Sequence, residues 1–353
     1  MRLFLLSSVW MFIGLLGCDS GGELGAEAVD FETVFAPPTP TELAAIRADW
    51  ASRDVSAQQV EVVTEAAMDL GAGVTGQVRI VTHRVAGVLH YGAVIVPDGL
   101  ADGSPIMVYT HGGNDGTSVE EAIQVASVLG NQVGRFVYLV PSFRNEPLEF
   151  GEQVFQSDGP ASPWDYDVDD ALALIDVALE LEPRADGDQI GVLGFSRGAA
   201  VGLLMAIREP RIDAVVSYFG PTDFMSPFTQ LVIREALNGE PRELPGMDFL
   251  TQEYLFPLRD GQLAEAEARL QLIRRSPLHF ATDFPQVQVH HGTADDTVPV
   301  TESDRLADAV NALGADAPSF TYFRYDGGGH FPTLLIGSLS RTAAFLLQAF
   351  PEA

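Results

Sequence analysis

The sequence predicts an α/β fold: a mostly parallel central sheet flanked by helices, with an inserted cap. Three observations carry this expectation. From Pro105 onward, short apolar runs alternate with segments whose apolar residues recur at helical spacing, the pattern of βαβ units feeding a parallel sheet. Ahead of them, β-branched runs separated by Gly-containing turns read as an antiparallel lead-in. One interval, 224–280, is too long for a plain connection and contains the helix-prone Glu265-Ala266-Glu267-Ala268-Arg269-Leu270, so it reads as an inserted cap.

The lead-in strands are expected over Val60–Val63, Gln77–His83 and Val88–Val96, and the meander ends at Pro97-Asp98-Gly99. The later strands are expected over Ile106–Thr110, Phe136–Val140, Gln189–Gly194, Ala214–Phe219, Val287–His291 and Phe320–Tyr325. Helices are expected over Val119–Leu129, Val168–Leu181, Ala199–Ile207, Glu302–Leu313 and Thr333–Phe350. Their regular alternation makes residues 41–353 one domain carrying the cap at about 224–280. At 353 residues, with 46% hydrophobic and 20% charged, the chain has the composition of a globular protein with a sizeable core. A net charge of −29 opposes a phosphate backbone, which excludes nucleic acid as an expected partner.

The N-terminus reads as an address. Arg2 precedes an apolar run from Leu3 to Leu16 that ends in Gly17-Cys18, the layout of a signal peptide and too short for the ~20 residues of a spanning helix. Leu15-Leu16-Gly17-Cys18 resembles the lipobox of bacterial lipoproteins, in which cleavage before the cysteine leaves it to carry acyl chains. That resemblance implies a signal peptide over 1–17, lipidation of Cys18, and an extracytoplasmic protein held to a membrane of the cell envelope through its lipid. Residues 18–40, rich in Gly, Glu, Thr and Pro, are expected to be a flexible tether. Cys18 is the only cysteine, which excludes an intrachain disulfide framework and a multi-cysteine metal site.

The chemistry concentrates at strand ends. Gly194-Phe195-Ser196-Arg197-Gly198 lies where a strand gives way to a helix, the setting of a nucleophile elbow, where glycines allow a strained turn and the helix N-terminus favours developing negative charge. A serine nucleophile needs a base, and that base needs an orienting carboxylate. Asp295 and Asp296 follow the strand Val287–His291, and Asp223 follows an earlier one. His330 follows the last strand in Gly327-Gly328-Gly329-His330. Spacing alone leaves the carboxylate open among Asp295, Asp296 and Asp223. His83, His90 and His279 lack the strand-end glycine context and read as structural or exposed. His290 and His291 point to opposite faces of a strand and lack a third ligand, so no metal site is expected. For the tetrahedral oxyanion, backbone N–H donors are available from His111-Gly112-Gly113-Asn114 and from Arg197. Gly113 or Asn114 is expected to act with Arg197.

These blocks, with Ser276-Pro277-Leu278 and His291-Gly292-Thr293-Ala294-Asp295-Asp296-Thr297-Val298-Pro299, resemble the α/β-hydrolase superfamily, and within it the prolyl oligopeptidase catalytic domain and dienelactone hydrolase. The resemblance runs from about Pro105 to the end of the chain. It implies Ser196, Asp295 and His330 as the catalytic triad in that chain order, since the first aspartate of the His-Gly-x-x-Asp block is the family's acid. It also places Pro141-Ser142-Phe143-Arg144 in a loop lining the site; no cofactor is expected. Family oligopeptidases carry a large N-terminal propeller for which 19–103 is too short, so the chain looks more like a capped esterase. Three functions follow in order: hydrolysis of small carboxylic esters through an acyl-enzyme, cleavage of short peptides by the same triad, and binding without catalysis by a surface lipoprotein.

Overall fold

The computed structural model describes residues 29–352. The expected signal peptide, Cys18 and the first part of the expected tether lie outside them. From Val29 on, the tether expectation is corrected, because this stretch is helical and docked on the body. Asp30 caps a short helix α1 (Phe31–Val34), and Thr39 and Glu42 form a capping box with Pro40 opening α2 (Pro40–Ser52), a strong local start signal. Val34 is buried, and the guanidinium of Arg269 donates to the carbonyls of Thr33, Val34 and Ala36 and to the Glu42 carboxylate. Carbonyls at a helix C-terminus need donors, and Arg269 supplies them from the cap.

The strands β1 (Gln58–Gly71), β2 (Val74–Val85) and β3 (Val88–Pro97) form the expected antiparallel meander. They continue into β4 (Ser104–Thr110), β6 (Val137–Pro141), β9 (Ala185–Phe195), β10 (Ile212–Tyr218), β11 (Gln286–Gly292) and β12 (Phe320–Tyr325). The nine strands make one sheet in the order β1-β2-β3-β6-β4-β9-β10-β11-β12, with all neighbours parallel from β6 to β12. A second small sheet, not anticipated, joins β5 (Thr117–Ser118), β7 (Pro147–Phe150) and β8 (Gln153–Gln156). Its strands are too short to carry a periodic signal.

Alternation along the buried strands splits the core in two. Ile106 and Val108 of β4 face α4 (Tyr166–Leu181) and α5 (Arg197–Arg208), while Met107 and Tyr109 face α3 (Val119–Ala126) and α11 (Ser338–Ala349), as a period of two requires. Helix α10 (Thr301–Ala312) follows β11. The helix expected over Thr333–Phe350 starts later, because Gly337 adopts φ +81 and confines the preceding residues to a single turn at Pro332–Leu334. The interval 224–280 is helical throughout much of its length, with α6 (Pro227–Leu237), α7 (Met247–Leu250), α8 (Phe256–Arg259) and α9 (Glu265–Ile273).

Candidate active site

Ser196 sits between β9 and α5 with φ 51 and ψ −118, and its N–H donates to Tyr218 O at 2.9 Å. Positive φ is costly for a residue with a β-carbon. The turn is tight enough that a β-carbon on Gly194 would run into the backbone of Gly198, and one on Gly198 into that of Thr110 and His111. This is why glycine stands two residues to either side of the serine.

His330 reaches the same point from the loop after β12. Its Nε2 lies 3.0 Å from Ser196 Oγ and its Nδ1 2.7 Å from Asp295 Oδ2. Asp295 Oδ1 accepts the N–H groups of Thr297 at 3.0 Å and Val298 at 2.9 Å, and its Oδ2 is 3.3 Å from His291 Nε2. Burial works to raise the Asp295 carboxyl, but hydrogen bonds from His291, His330 and the Val298 backbone outweigh it and hold the group well below the usual carboxylate range. An ionised Asp295 accepts the Nδ1 proton of His330, which leaves Nε2 bare toward the serine hydroxyl. Phe219, itself at φ 41, packs its ring 4.4 Å from that of His330.

The other candidates lie elsewhere. Asp296 is exposed. Asp223 is buried against Arg305 and His279, so it is committed to a different cluster. His83 and His90 are buried neighbours with ring centroids 5.8 Å apart, and His290 is walled by Tyr218, Phe323 and Tyr325. Among the described residues no group of three or more His, Cys, Asp or Glu could hold a metal ion.

The glycine loop after β4 packs on Ser196: a β-carbon on Gly112 would stand 3.1 Å from that of Ser196. Gly113 has φ +73, and its carbonyl accepts from Arg197 Nη1 at 3.1 Å. Asn114 is exposed. The Arg197 side chain, which no motif singled out, is buried beneath this loop. It makes paired hydrogen bonds to Asp167, donates to Glu146, and lies over the Phe143 ring. His111 stacks on the same ring at 4.4 Å, sets Nδ1 2.9 Å from Gly112 O, and has Nε2 3.4 Å from Glu146. Burial, with the Arg197 charge nearby, pushes the His111 imidazole down to about 3, so it is neutral. Pro141-Ser142-Phe143-Arg144 therefore braces the site from behind, with Arg144 paired to buried Asp170, and does not line it.

Two cavities meet at Ser196. An enclosed one of about 40 Å³ is walled by Trp164, Phe224, Phe228, Val232, Leu244 and Met247. An open groove of about 420 Å³ is bordered by Gly112, Gly113, Glu121, Phe219, His330 and Phe331. Most of the enclosed wall comes from the interval 224–280, which thus covers the serine.

Residues 178–332 match the family model described as BAAT / acyl-CoA thioester hydrolase C terminal, less than half of the chain. No curated protein matches the sequence. Among solved structures, acetyl xylan esterase 1 from a Thermoanaerobacterium species is similar at TM-score 0.61 and 15% identity over 89% of this chain and 95% of that one. An acetyl xylan esterase from a Paenibacillus species gives 0.58 and 17% over 90% and 98%. A puromycin-hydrolysing peptidase from Mycobacterium tuberculosis gives 0.54 and 20% over 78% of this chain but 40% of its own. The sheet order, the strand-to-helix serine turn and these likenesses show that the chain has the α/β-hydrolase fold.

Proposed function

We propose that this protein is a serine hydrolase that cleaves carboxylic esters through an acyl-enzyme. The observation that carries the reading is the continuous relay from Ser196 Oγ through His330 to Asp295, at 3.0 Å and 2.7 Å. In the first step Ser196 Oγ attacks the carbonyl carbon while its proton passes to His330 Nε2. Asp295 stays ionised and steadies the imidazolium. The N–H of Arg197 and that of Gly113 or Asn114 stabilise the oxyanion. The C–O bond then breaks, the alcohol leaves with the proton from His330, and water returns through the same base to release the acid.

The enclosed cavity contains no carboxylate to hold a peptide's ammonium, which favours esters over aminoacyl substrates. A peptidase reading draws support from the likeness to the puromycin-hydrolysing peptidase, although this chain spans under half of that protein. The family model suggests acyl thioesters as well, but a net charge of −29 works against a polyphosphate leaving group. A fluorophosphonate probe should label the wild type and not Ser196→Ala, and p-nitrophenyl esters should turn over faster than aminoacyl or prolyl amides. Amide turnover without ester preference would transfer the assignment to a peptidase. Equal labelling of Ser196→Ala would end it.

The lipid anchor belongs to the same reading. Cys18 is proposed to carry acyl chains that hold the enzyme to the cell envelope. Labelled palmitate should enter the wild type and not Cys18→Ala, and only the wild type should partition into detergent.

A further inference from the structure

The two cavities at Ser196 are chemically unequal, and their difference assigns the two halves of the substrate. His330 and the Gly112-Gly113 loop border the open groove and are absent from the enclosed wall. When the ester C–O bond breaks, the departing oxygen must take the proton that His330 Nε2 accepted from Ser196, so the alcohol lies on the side of His330. The open groove is that side. The substituent on the carbonyl carbon is left with the enclosed cavity.

That cavity is narrow. Its volume of about 40 Å³ is a small fraction of the groove's 420 Å³, so it takes the smaller of the two substituents. Its wall is mostly aromatic and aliphatic, with Thr229 and Thr297 among the lining residues. Arg197 also borders it, but the guanidinium is engaged by Asp167, Glu146 and Gly113 O.

The wall is also fixed. Trp164 has φ +59, an unusual backbone for an aromatic residue, and its N–H donates to Asp167 Oδ2 at 3.0 Å. Its ring packs on Phe224 at 4.6 Å, and a β-carbon on Gly246 would come within 2.6 Å of it. Two segments of the cap thus hold the indole, while the body holds its backbone.

We infer that the substrate is an ester of a short carboxylic acid, from acetyl to butyryl, with a bulky alcohol, and that Trp164 is the residue that limits acyl length. This rests on Ser196 being the nucleophile. The test uses the full chain with p-nitrophenyl acetate, butyrate, hexanoate and octanoate, then with methyl, phenyl and naphthyl acetate, reading kcat/KM. Hexanoate and octanoate should fall at least about tenfold below butyrate, since one methylene in a fixed apolar pocket already discriminates by that order. The three acetates should not decline as the alcohol grows. Trp164→Ala should raise the octanoate-to-acetate ratio at least about tenfold; should it fail to fold, Met247→Ala widens the same wall and should raise the ratio in the same direction. Wild type that prefers octanoate, or acetates that fail as the alcohol grows, would overturn the assignment of the two cavities. A ratio unmoved in a folded Trp164→Ala variant would overturn the role of Trp164. Loss of fluorophosphonate labelling at Ser196 is the separate result that would instead remove the nucleophile.

Discussion

Asp295 and Asp296 are chain neighbours in opposite surroundings: one carboxylate is held by two backbone N–H groups and His330, while the other faces water. Asp295→Asn should keep the fold but lower kcat by about 10³- to 10⁴-fold, because the imidazole loses the partner that sets its tautomer. Asp296→Asn should leave kcat within a factor of about two, and steady-state kinetics on one ester compares them directly. Position at strand ends made Ser196 and His330 legible in the sequence, whereas spacing left the acid open and the family resemblance alone pointed to Asp295. The Arg197 side chain was not legible at all. Its partners Asp167 and Glu146 lie 30 and 51 residues away, and a helix reading of Asp167, Asp169 and Asp170 suggests solvent, whereas each is buried against an arginine. Asp167→Ala removes the paired hydrogen bonds of a buried guanidinium and should destabilise the protein by about 3–5 kcal/mol in urea unfolding.

At the scale of elements, the parallel strands inside the sheet were readable because they are buried on both faces and so form apolar runs, while the edge strand β12 is partly exposed. The ends of helices were less so: Gly337 cuts what apolar spacing alone joins from Thr333 to Phe350. The docking of α1 and α2 on α9 depends on Arg269, more than 200 residues later in the chain, which no local pattern reveals. The Arg269 hydrogen bond is the main reason that the Glu42 carboxyl is pushed down to about 2 from its ordinary 4.5. A carboxyl lowered in the folded state stabilises above its unfolded pKa and stops doing so as the pH falls through its folded one. Glu42→Gln should therefore lower the urea midpoint at pH 7, and the gap to wild type should close as the pH falls from 4.5 toward 2. A gap that persisted at pH 2 would place the effect in packing.

For the whole molecule, the net charge of −29 sets a field that any substrate crosses before reaching the groove, whose rim includes the exposed Glu121. An acetyl ester of a sulfonated phenol should show a KM that falls as salt rises from about 10 mM to about 0.5 M, while phenyl acetate stays constant, since screening acts on charged pairs alone. The overall architecture was anticipated because sequence periodicity reports burial. Cavity shape was not, because walls such as Trp164 and Phe224 come from segments far apart in the chain. Three non-glycine residues at positive φ meet at the site: Ser196 itself, Trp164 and Phe219. Each holds a conformation costing on the order of 1–3 kcal/mol, so the protein retains them at the expense of its own stability. A laboratory selection for heat resistance alone should accumulate replacements at these positions first, yielding hardier proteins that have lost discrimination among acids or turnover itself.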